Sequence, residues 1–268
     1  MSQQTYIQKL LQRYRLENVH PVSTPAATNV HLRQHTEDTE AALVDKSLYQ
    51  SMVGSLLYCA LGTRPDIQYA VCKVAQFNSQ PNQHHLTAVK RIFQYLSGTL
   101  DLGLTYQRKG SVSLEGYADA DFASDQSDRK SISGYCFFMC GSLVSWYTGK
   151  QKAVSVSTSN AEYIALGIAV REALFLQHLL EEIGVKLGPT VVYEDNQSTL
   201  AMTWNPVYHG KQKHIAVQHH FLRDEVSKQT VNLVYCPTEQ MIADIMTKPL
   251  ATGRHHKLTE SLGLVELP

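Results

Sequence analysis

The sequence has no long hydrophobic run, no clustered cysteines and no excess of charge of one sign. None of its 268 residues lies in a run of about 18 consecutive apolar side chains, and the N-terminal segment is too polar for a secretory signal. The five cysteines form no Cys-x-x-Cys pair, so we expect free, mostly buried thiols. The 24 Lys and Arg residues balance the 24 Asp and Glu residues, which argues against polyanion binding over the whole surface. We expect a soluble, intracellular protein that does not associate with membranes.

The first hundred residues predict a mainly helical segment. With 43% hydrophobic and 18% charged residues the chain has a globular composition, and its length fits one or two domains. Apolar residues recur at i, i+3 and i+4 in four stretches, which predicts four amphipathic helices. These stretches are TYIQKLLQRYRL (5–16), SLYQSMVGSLLYCAL (47–61), RPDIQYAVCKVAQF (64–77) and HLTAVKRIFQYLSGT (85–99).

After Leu102 the hydrophobic period changes from that of a helix to that of a strand. Alternating patterns predict three strands at 111–120, 131–140 and 142–148, and turn-forming residues between them suggest an antiparallel meander. The remainder predicts a long helix at 161–183, strands at 190–195 and 230–236, and helices at 197–204, 214–229 and 239–250. This order predicts a five-stranded mixed sheet flanked by helices, in the α/β or α+β class.

Four acidic residues lie at positions where this order of elements would bring them together. Asp119 ends the first strand, Glu162 lies in the first turn of the long helix, Asp195 ends the fourth strand, and Asp244 lies in the last helix. Glu162 falls on the apolar face of its helix, where a carboxylate is costly unless it is paired or binds a metal. Carboxylate oxygens are the ligands that Mg²⁺ and Mn²⁺ prefer.

Each of these residues also has a structural interpretation. Glu162 could stabilise its helix through the helix dipole, and Asp195 with Asn196 could cap the following helix. Asp119 with Asp121 could be a solvated strand end. Asp119 and Asp121 share one face of the strand, so geometry alone does not choose between them as a ligand.

Several motifs around the four acidic residues follow one another in the second half of the chain. The stretches are GYADADFASD (116–125), DRKSISGYCFF (128–138), VSWYTGKQKAVSVSTSNAEYIAL (144–166), EDNQSTL (194–200), NPVYHGKQKHIAVQHHFLRD (205–224) and ADIMTKPL (243–250). They resemble the RNase H domain of copia-type retrotransposon Pol polyproteins. Upstream, LYQSMVGSLLYCALGTRPDIQYAV and HLTAVKRIFQYLSGTLDLGLTY resemble the thumb and connection of the reverse transcriptase in these polyproteins. The resemblance implies a reverse transcriptase fragment at 1–100, an RNase H domain at 102–250 and a C-terminal helical tail at 251–268.

The resemblance implies a metal-dependent ribonuclease that cleaves the RNA strand of RNA/DNA hybrids. Asp119, Glu162, Asp195 and Asp244 would be the catalytic residues and would hold two Mg²⁺ ions, for which Mn²⁺ could substitute. The expected partners are the hybrid and the rest of the polyprotein, including the polymerase palm and the integrase. The expected locations are cytoplasmic virus-like particles and the nucleus. Asp119 is preferred to Asp121 because the family pattern uses the first aspartate.

The sequence departs from the family pattern at three points. Asn160 stands where an acidic residue is common, and Ala216 stands where an aspartate usually follows Lys-His-Ile. No Tyr-x-Asp-Asp motif occurs, and no two aspartates are adjacent, so the chain lacks the polymerase palm and is not expected to polymerise by itself. The alternative function is therefore a catalytically silent nucleic-acid-binding or interaction remnant of a truncated element.

Basic and aromatic residues near the acidic quartet predict contacts with the nucleic-acid backbone. The predicted contact residues are Lys150, Lys152, Asn196, Lys211, Lys213, His214 and Arg223. Trp146 and Tyr147 lie among them in sequence, although Trp146 could equally belong to the core. A zinc site at His209, His214, His219 and His220 is a weaker hypothesis, because no thiol or carboxylate ligand accompanies these histidines at a suitable spacing.

Overall fold

The structure, a computed structural model, describes residues 1–34, 42–107, 112–124, 128–204 and 213–267, with the backbone alone at 213–219. The chain divides into two compact units. Unit 1 consists of Met1–Tyr106 together with Lys248–Pro268, and unit 2 consists of Gln107–Thr247. The C-terminal segment, predicted as a separate helical tail at 251–268, thus joins unit 1. The boundaries of unit 2 lie within the predicted RNase H range of 102–250.

The helices and strands are numbered in chain order. The α-helices are α1 (Gln4–Arg13), α2 (Lys46–Gly62), α3 (Gln68–Ala75), α4 (Gln83–Ser97), α5 (Thr158–Glu182), α6 (Gln197–Trp204), α7 (Lys213–Ser227), α8 (Asp244–Thr247) and α9 (Thr252–Ser261). The strands are β1 (Leu102–Leu104), β2 (Leu114–Asp121), β3 (Ile132–Met139), β4 (Ser142–Lys150), β5 (Thr190–Glu194), β6 (Val231–Tyr235) and β7 (Leu264–Glu266).

Unit 1 contains the helices expected from the first hundred residues. Asp45 caps α2 by accepting hydrogen bonds from the backbone N–H groups of Ser47 (2.8 Å) and Leu48 (3.4 Å). The apolar stripes of these helices pack into one core. The predicted helix at 64–77 begins instead as a 3-10 turn at Pro65–Ile67, because Thr63 still belongs to the C-terminal end of α2.

The C-terminal segment of the chain completes unit 1. Strand β7 pairs antiparallel with β1, and Leu258, Leu262 and Leu264 of this segment are buried. The His255 ring lies within hydrogen-bonding distance of the backbone carbonyl oxygen of Asp66, at 3.2 Å. A chain segment more than 140 residues away in sequence therefore supplies part of the core of unit 1.

The expected five-stranded mixed sheet of unit 2 is confirmed. The strand order is β4-β3-β2-β5-β6, with antiparallel pairs β2–β3 and β3–β4 and parallel pairs β2–β5 and β5–β6. Cys140 and Gly141 form the two-residue turn between β3 and β4, and both have positive φ (52° and 74°). Two such residues give the turn the twist that antiparallel strands require.

Helix α5 packs against β2 and β3 and forms the core of unit 2. Its residues Tyr163, Leu166, Ala169 and Val170 are buried in one cluster with apolar side chains of the sheet. By length and composition alone, α5 is also apolar enough to cross a membrane, and 44% of its most apolar 18-residue window is buried. Packing on the sheet accounts for the apolar character of the buried face of α5.

The predicted final helix at 239–250 is wrong in its extent. The structure has a 3-10 turn at Thr238–Gln240, an extended residue at Met241 (φ −68°, ψ 101°) and the single helical turn α8. Lys248 precedes Pro249, and a residue before proline is disfavoured in helical conformation. The helix therefore ends at Thr247, and Asp244 is its first residue.

Candidate metal centre

Two neighbouring parallel strands place two of the predicted acids at the same edge of the sheet. Tyr117 of β2 is paired with Tyr193 of β5. Asp119 lies two residues after Tyr117, and Asp195 lies two residues after Tyr193. Residues two apart on a strand point to the same face, so both aspartates lie on the face of the stacked Tyr117 and Tyr193 rings.

Glu162 reaches this edge from the N-terminal end of α5. Ser157 caps the helix by accepting a hydrogen bond from the Asn160 backbone N–H at 3.2 Å. Gln151 anchors the same end, because its Nε2 donates to Ser133 Oγ and to the Ala161 carbonyl oxygen, both at 2.9 Å. These contacts fix the start of α5, and with it Glu162, relative to β3.

Asp119, Glu162 and Asp195 form one acidic cluster. One carboxylate oxygen from each residue lies within 4.8 Å of the other two. Asp119 is 1% exposed and Glu162 is 4% exposed, whereas Asp195 is partly accessible to solvent. Charges of one sign at this spacing repel each other strongly where water is scarce. A hard divalent cation would compensate them, so the donor set fits Mg²⁺ or Mn²⁺.

The structure brings together three of the four predicted acids. Asp119, rather than Asp121, is the β2 residue of the cluster. Asp244 is 5% exposed and begins α8, but its carboxylate is not in the group of three. One turn further on, the Thr247 hydroxyl donates a hydrogen bond to Asp119 Oδ2, so α8 contacts the cluster through Thr247. Sequence reasoning missed Thr247, although its spacing of three residues from Asp244 on a helix was a usable signal.

Glu194 is a further buried acid beside the cluster that sequence reasoning missed. Its side chain is fully buried, and Oε1 accepts a hydrogen bond from the Asn196 backbone N–H at 3.1 Å. Burial raises the pKa of Glu194 well above its usual value, and the charges of Asp119 and Asp195 raise it further, against the opposing effect of the Asn196 N–H. The sequence signal for this residue was its place in the strand pattern. Side chains alternate along a strand, so Glu194 points to the opposite face of the sheet from Asp195.

Asp195 has a polar neighbour from the segment after β6. The Thr238 hydroxyl donates to Asp195 Oδ2 at 2.8 Å. Of Asp195 and Asn196, which together could cap the next helix, Asn196 does so, since its Oδ1 accepts a hydrogen bond from the Thr199 backbone N–H at 3.1 Å. Asp195 itself is held towards the cluster, so the two adjacent residues have different tasks.

Comparison with known proteins identifies the family. No family model matches the chain. The retrovirus-related Pol polyprotein of transposon RE1 from Arabidopsis thaliana is 37% identical over 269 residues, covering 100% of this chain and 18% of that protein. The Pol polyprotein of transposon TNT 1-94 from Nicotiana tabacum is 37% identical over 267 residues, covering 98% of this chain and 20% of that protein. The chain belongs to the copia-type retrotransposon Pol family.

The chain spans about a fifth of the length of the relatives it matches. Among solved structures, one similar protein is the N-terminal RNase H domain of a Mycobacterium tuberculosis protein, studied as a fusion with maltose-binding protein. The match has 16% sequence identity and a TM-score of 0.38, and it covers 56% of this chain and 99% of that chain.

Apart from Asn196, which caps α6, the residues predicted to contact nucleic acid fall into three groups. Lys150 forms an ion pair with Asp128 (Nζ to Oδ2, 2.9 Å), and Lys152 is exposed. Arg223 of α7 donates from Nη2 to the Met202 carbonyl oxygen of α6 at 3.1 Å, which gives it a structural contact. Lys211 lies outside the described residues, as do the side chains of Lys213 and His214. Contact with nucleic acid stays a prediction for all of them.

The described residues bear on the roles of Trp146 and Tyr147, but on only part of the histidine-rich stretch. Tyr147 stacks on Tyr135 (ring centroids 5.4 Å apart, interplanar angle 19°) and packs against the core, whereas Trp146 is partly exposed. His220 is exposed. His209 and the side chains of His214 and His219 lie outside the described residues, so the zinc hypothesis stays a prediction.

Proposed function

We propose that this chain is a ribonuclease that hydrolyses the RNA strand of RNA/DNA hybrids in a retroelement. The observation that carries the proposal is the acidic cluster of Asp119, Glu162 and Asp195, with oxygens within 4.8 Å of one another. Membership of the Pol family supports a role in reverse transcription. The missing Tyr-x-Asp-Asp motif argues that polymerisation requires a palm supplied by another part of a polyprotein.

The residues of the acidic cluster would have different roles, according to their exposure to solvent. Asp119 and Glu162 are buried, so they would hold divalent ions in fixed positions and keep bulk water away. Asp195 is partly exposed and would lie on the side from which the phosphate enters. Asp244 is the fourth ligand that the family resemblance implies. When bound, two such ions supply an activated water and stabilise the departing oxygen, which leaves 5′ phosphates and 3′ hydroxyls.

The substrate would be recognised mainly through its backbone. Lys152 is exposed six residues before α5 begins at Thr158, and the basic residues of 211–223 are predicted to add phosphate contacts. The 2′-hydroxyl would distinguish the RNA strand from the DNA strand, with little dependence on base sequence. The remaining partners would be the palm and integrase of a Pol polyprotein.

The decisive test is cleavage of labelled RNA annealed to DNA, in Mg²⁺ and separately in Mn²⁺. Glu162→Gln should reduce the rate by about 10³-fold, because a carboxylate that binds the metal contributes several kcal/mol to transition-state stabilisation. Glu181→Gln is the matched control, since Glu181 lies on the same helix but is exposed near its other end. The control should cleave at the wild-type rate, and duplex DNA should remain intact.

The catalytically silent remnant is the outcome that would contradict the proposal. In that case the folded wild type would bind the hybrid, cleave nothing, and show no Mn²⁺ binding that depends on Glu162 or Asp195. Equal cleavage by wild type and Asp195→Asn would instead contradict the assignment of the acidic cluster as the active site.

A further inference from the structure

Three residues in one row of the sheet contact the helical turn α8. Asp119 of β2 pairs with Gly134 of β3, and Gly134 pairs with Thr148 of β4. Directly paired residues lie on the same face of a sheet, so the row runs across three strands on one face. We call these three residues, Asp119, Gly134 and Thr148, the α8 seat.

Each residue of the α8 seat contributes differently to holding the turn. The buried Thr148 hydroxyl donates to the Met246 carbonyl oxygen at 2.7 Å. A Cβ atom at Gly134 would lie 2.6 Å from Met246 Cβ and 2.8 Å from Thr247 Cγ2. A residue with a side chain at position 134 would therefore push α8 away from the sheet. Asp119 accepts a hydrogen bond from the Thr247 hydroxyl.

The Thr247 hydroxyl has two acceptors within reach, and the carboxylate is the stronger. Thr247 Oγ1 lies 3.3 Å from the Asp244 carbonyl oxygen, which is the weak contact to the preceding turn that threonines in helices often make. A hydroxyl has one proton to donate, and bonds to a charged acceptor are shorter and stronger. The closer contact is with Asp119 Oδ2, and both residues are almost fully buried.

We propose that Thr247 is a positioning residue that fixes the carboxylate of Asp119 and thereby strengthens divalent-cation binding by the acidic cluster. A hydrogen bond to one oxygen restricts rotation of the carboxylate, and so sets the positions of both oxygens. Residues that hold a metal ligand in this way typically contribute 10- to 100-fold to metal affinity. The inference rests on the proposed function, since it assumes that the acidic cluster binds metal.

The test is a Mn²⁺ titration of the full chain by calorimetry, without substrate. Thr247→Val removes the hydroxyl but keeps the shape, and it should raise the Kd for Mn²⁺ by about 10-fold or more. Thr247→Ser keeps the hydroxyl and should bind Mn²⁺ nearly as well as the wild type. Thr190→Val is the matched control, because it also removes a buried hydroxyl, at the start of β5 rather than beside the cluster. Its Kd should not change.

Cleavage assays give an independent readout of the same effect. In the Thr247→Val variant the Mn²⁺ concentration for half-maximal cleavage should rise by a similar factor, while the rate at saturating Mn²⁺ falls much less. If Thr247→Val melts too low to be titrated, Thr247→Ala and Thr247→Ser provide the comparison, since they differ by a single oxygen atom.

The outcomes separate the positioning role from the proposed function. A wild type that binds Mn²⁺ and cleaves, together with equal Kd values for Thr247→Val and Thr247→Ser, would overturn the positioning role alone. A wild type that neither binds Mn²⁺ nor cleaves would overturn both. A loss of affinity in Thr190→Val equal to that in Thr247→Val would show a general packing effect and would also overturn the positioning role.

Discussion

In unit 1 the carboxylate of Asp66 lies against an arginine, whereas in unit 2 the carboxylate of Glu194 lies near other carboxylates. Arg64 donates from Nε to Asp66 Oδ1 (3.0 Å) and from Nη2 to Oδ2 (2.7 Å), and the Tyr95 hydroxyl donates to Oδ2 at 2.7 Å. Arg64 and Asp66 are both almost fully buried. Glu194 is equally buried, but the charges that act on it are those of Asp119 and Asp195.

The different surroundings move the two pKa values in opposite directions. Burial alone would raise the pKa of Asp66, but the charge and hydrogen bonds of Arg64, with the Tyr95 hydroxyl, outweigh burial and lower it below its usual value. In Glu194 burial and the neighbouring aspartates act together, so its pKa rises well above the usual value. In unit 1 the buried charge of Asp66 is compensated by Arg64. Unit 2 concentrates negative charge, which favours binding of a cation from solution.

The largest expected effect is the loss of unit 1 when the C-terminal segment is deleted. Removing Lys248–Pro268 takes away the buried Leu258, Leu262 and Leu264, each worth about 1.5–3 kcal/mol. The total is comparable with the stability of a whole domain, about 5–15 kcal/mol. The helical circular dichroism of unit 1 should be lost. The fluorescence unfolding transition should persist, because both tryptophans, Trp146 and Trp204, lie in unit 2.

A pair of point variants controls for non-specific effects of the deletion. Leu264→Ala removes a buried side chain of β7 and should destabilise unit 1 by about 2–5 kcal/mol. Val265→Ala, at the neighbouring position of the same strand, removes a side chain that is 41% exposed and should have little effect. A deleted chain with full helical content and wild-type unfolding would contradict the assignment of this segment to unit 1.

The sheet of unit 2 and the position of three acids could be predicted from sequence because their signals are local. Strand alternation and turn residues define the meander, and each of Asp119, Glu162 and Asp195 stands at the end of a clearly predicted element. Ends of neighbouring parallel strands meet at one edge of a sheet, so topology was sufficient to bring these residues together.

Other features depend on contacts between distant parts of the chain. Strands β1 and β7 have three residues each, too few for a recognisable alternation, and they pair across about 160 positions. The apolar spacing in 239–250 resembles a helix, but only Asp244–Thr247 of that segment is α-helical, and this single turn packs on the sheet. The α8 seat likewise needs the register of β2, β3 and β4, which the sequence does not specify.

The next effect compares two substitutions that replace a buried carboxyl group with an amide. Asp66→Asn leaves Arg64 buried without its counter-charge, which typically costs about 3–5 kcal/mol. Glu194→Gln replaces a carboxyl group whose raised pKa disfavours its charged form in the folded state, and the amide oxygen can still accept from Asn196, so unit 2 should gain about 1–3 kcal/mol at pH 7 without divalent ions. Urea unfolding should show the first change by circular dichroism and the second by tryptophan fluorescence.

The sign of the second change is the informative result. A lower unfolding midpoint for Glu194→Gln in metal-free buffer would show that the charge at Glu194 is compensated internally, as it is in unit 1. Both units would then compensate their buried carboxylates internally, and the proposed difference between them would be wrong. Addition of Mg²⁺ should reduce the advantage of Glu194→Gln, because bound cations offset the repulsion that the substitution removes.

The smallest expected effect is a pH dependence of unit 1 that arises from His255. Burial lowers the pKa of His255 from its usual value of 6.5, and the nearby Asp66 carboxylate opposes burial only in part. The folded state therefore binds the proton less well than the unfolded state. The stability from neutral His255 is present above about pH 6.5 and is lost as the pH falls through the lowered pKa. Each tenfold weakening of proton binding in the folded state corresponds to about 1.4 kcal/mol of this stability.

Urea unfolding at pH 7 and pH 5, followed by circular dichroism, should show this loss. His255→Gln can keep a donor towards the Asp66 carbonyl oxygen but does not titrate, so its loss between the two pH values should be smaller than that of the wild type. His256→Gln is the matched control, since the side chain of His256 is 76% exposed. This variant should lose as much stability between the two pH values as the wild type. Equal losses in all three proteins would show that the loss of stability between pH 7 and pH 5 does not arise from His255.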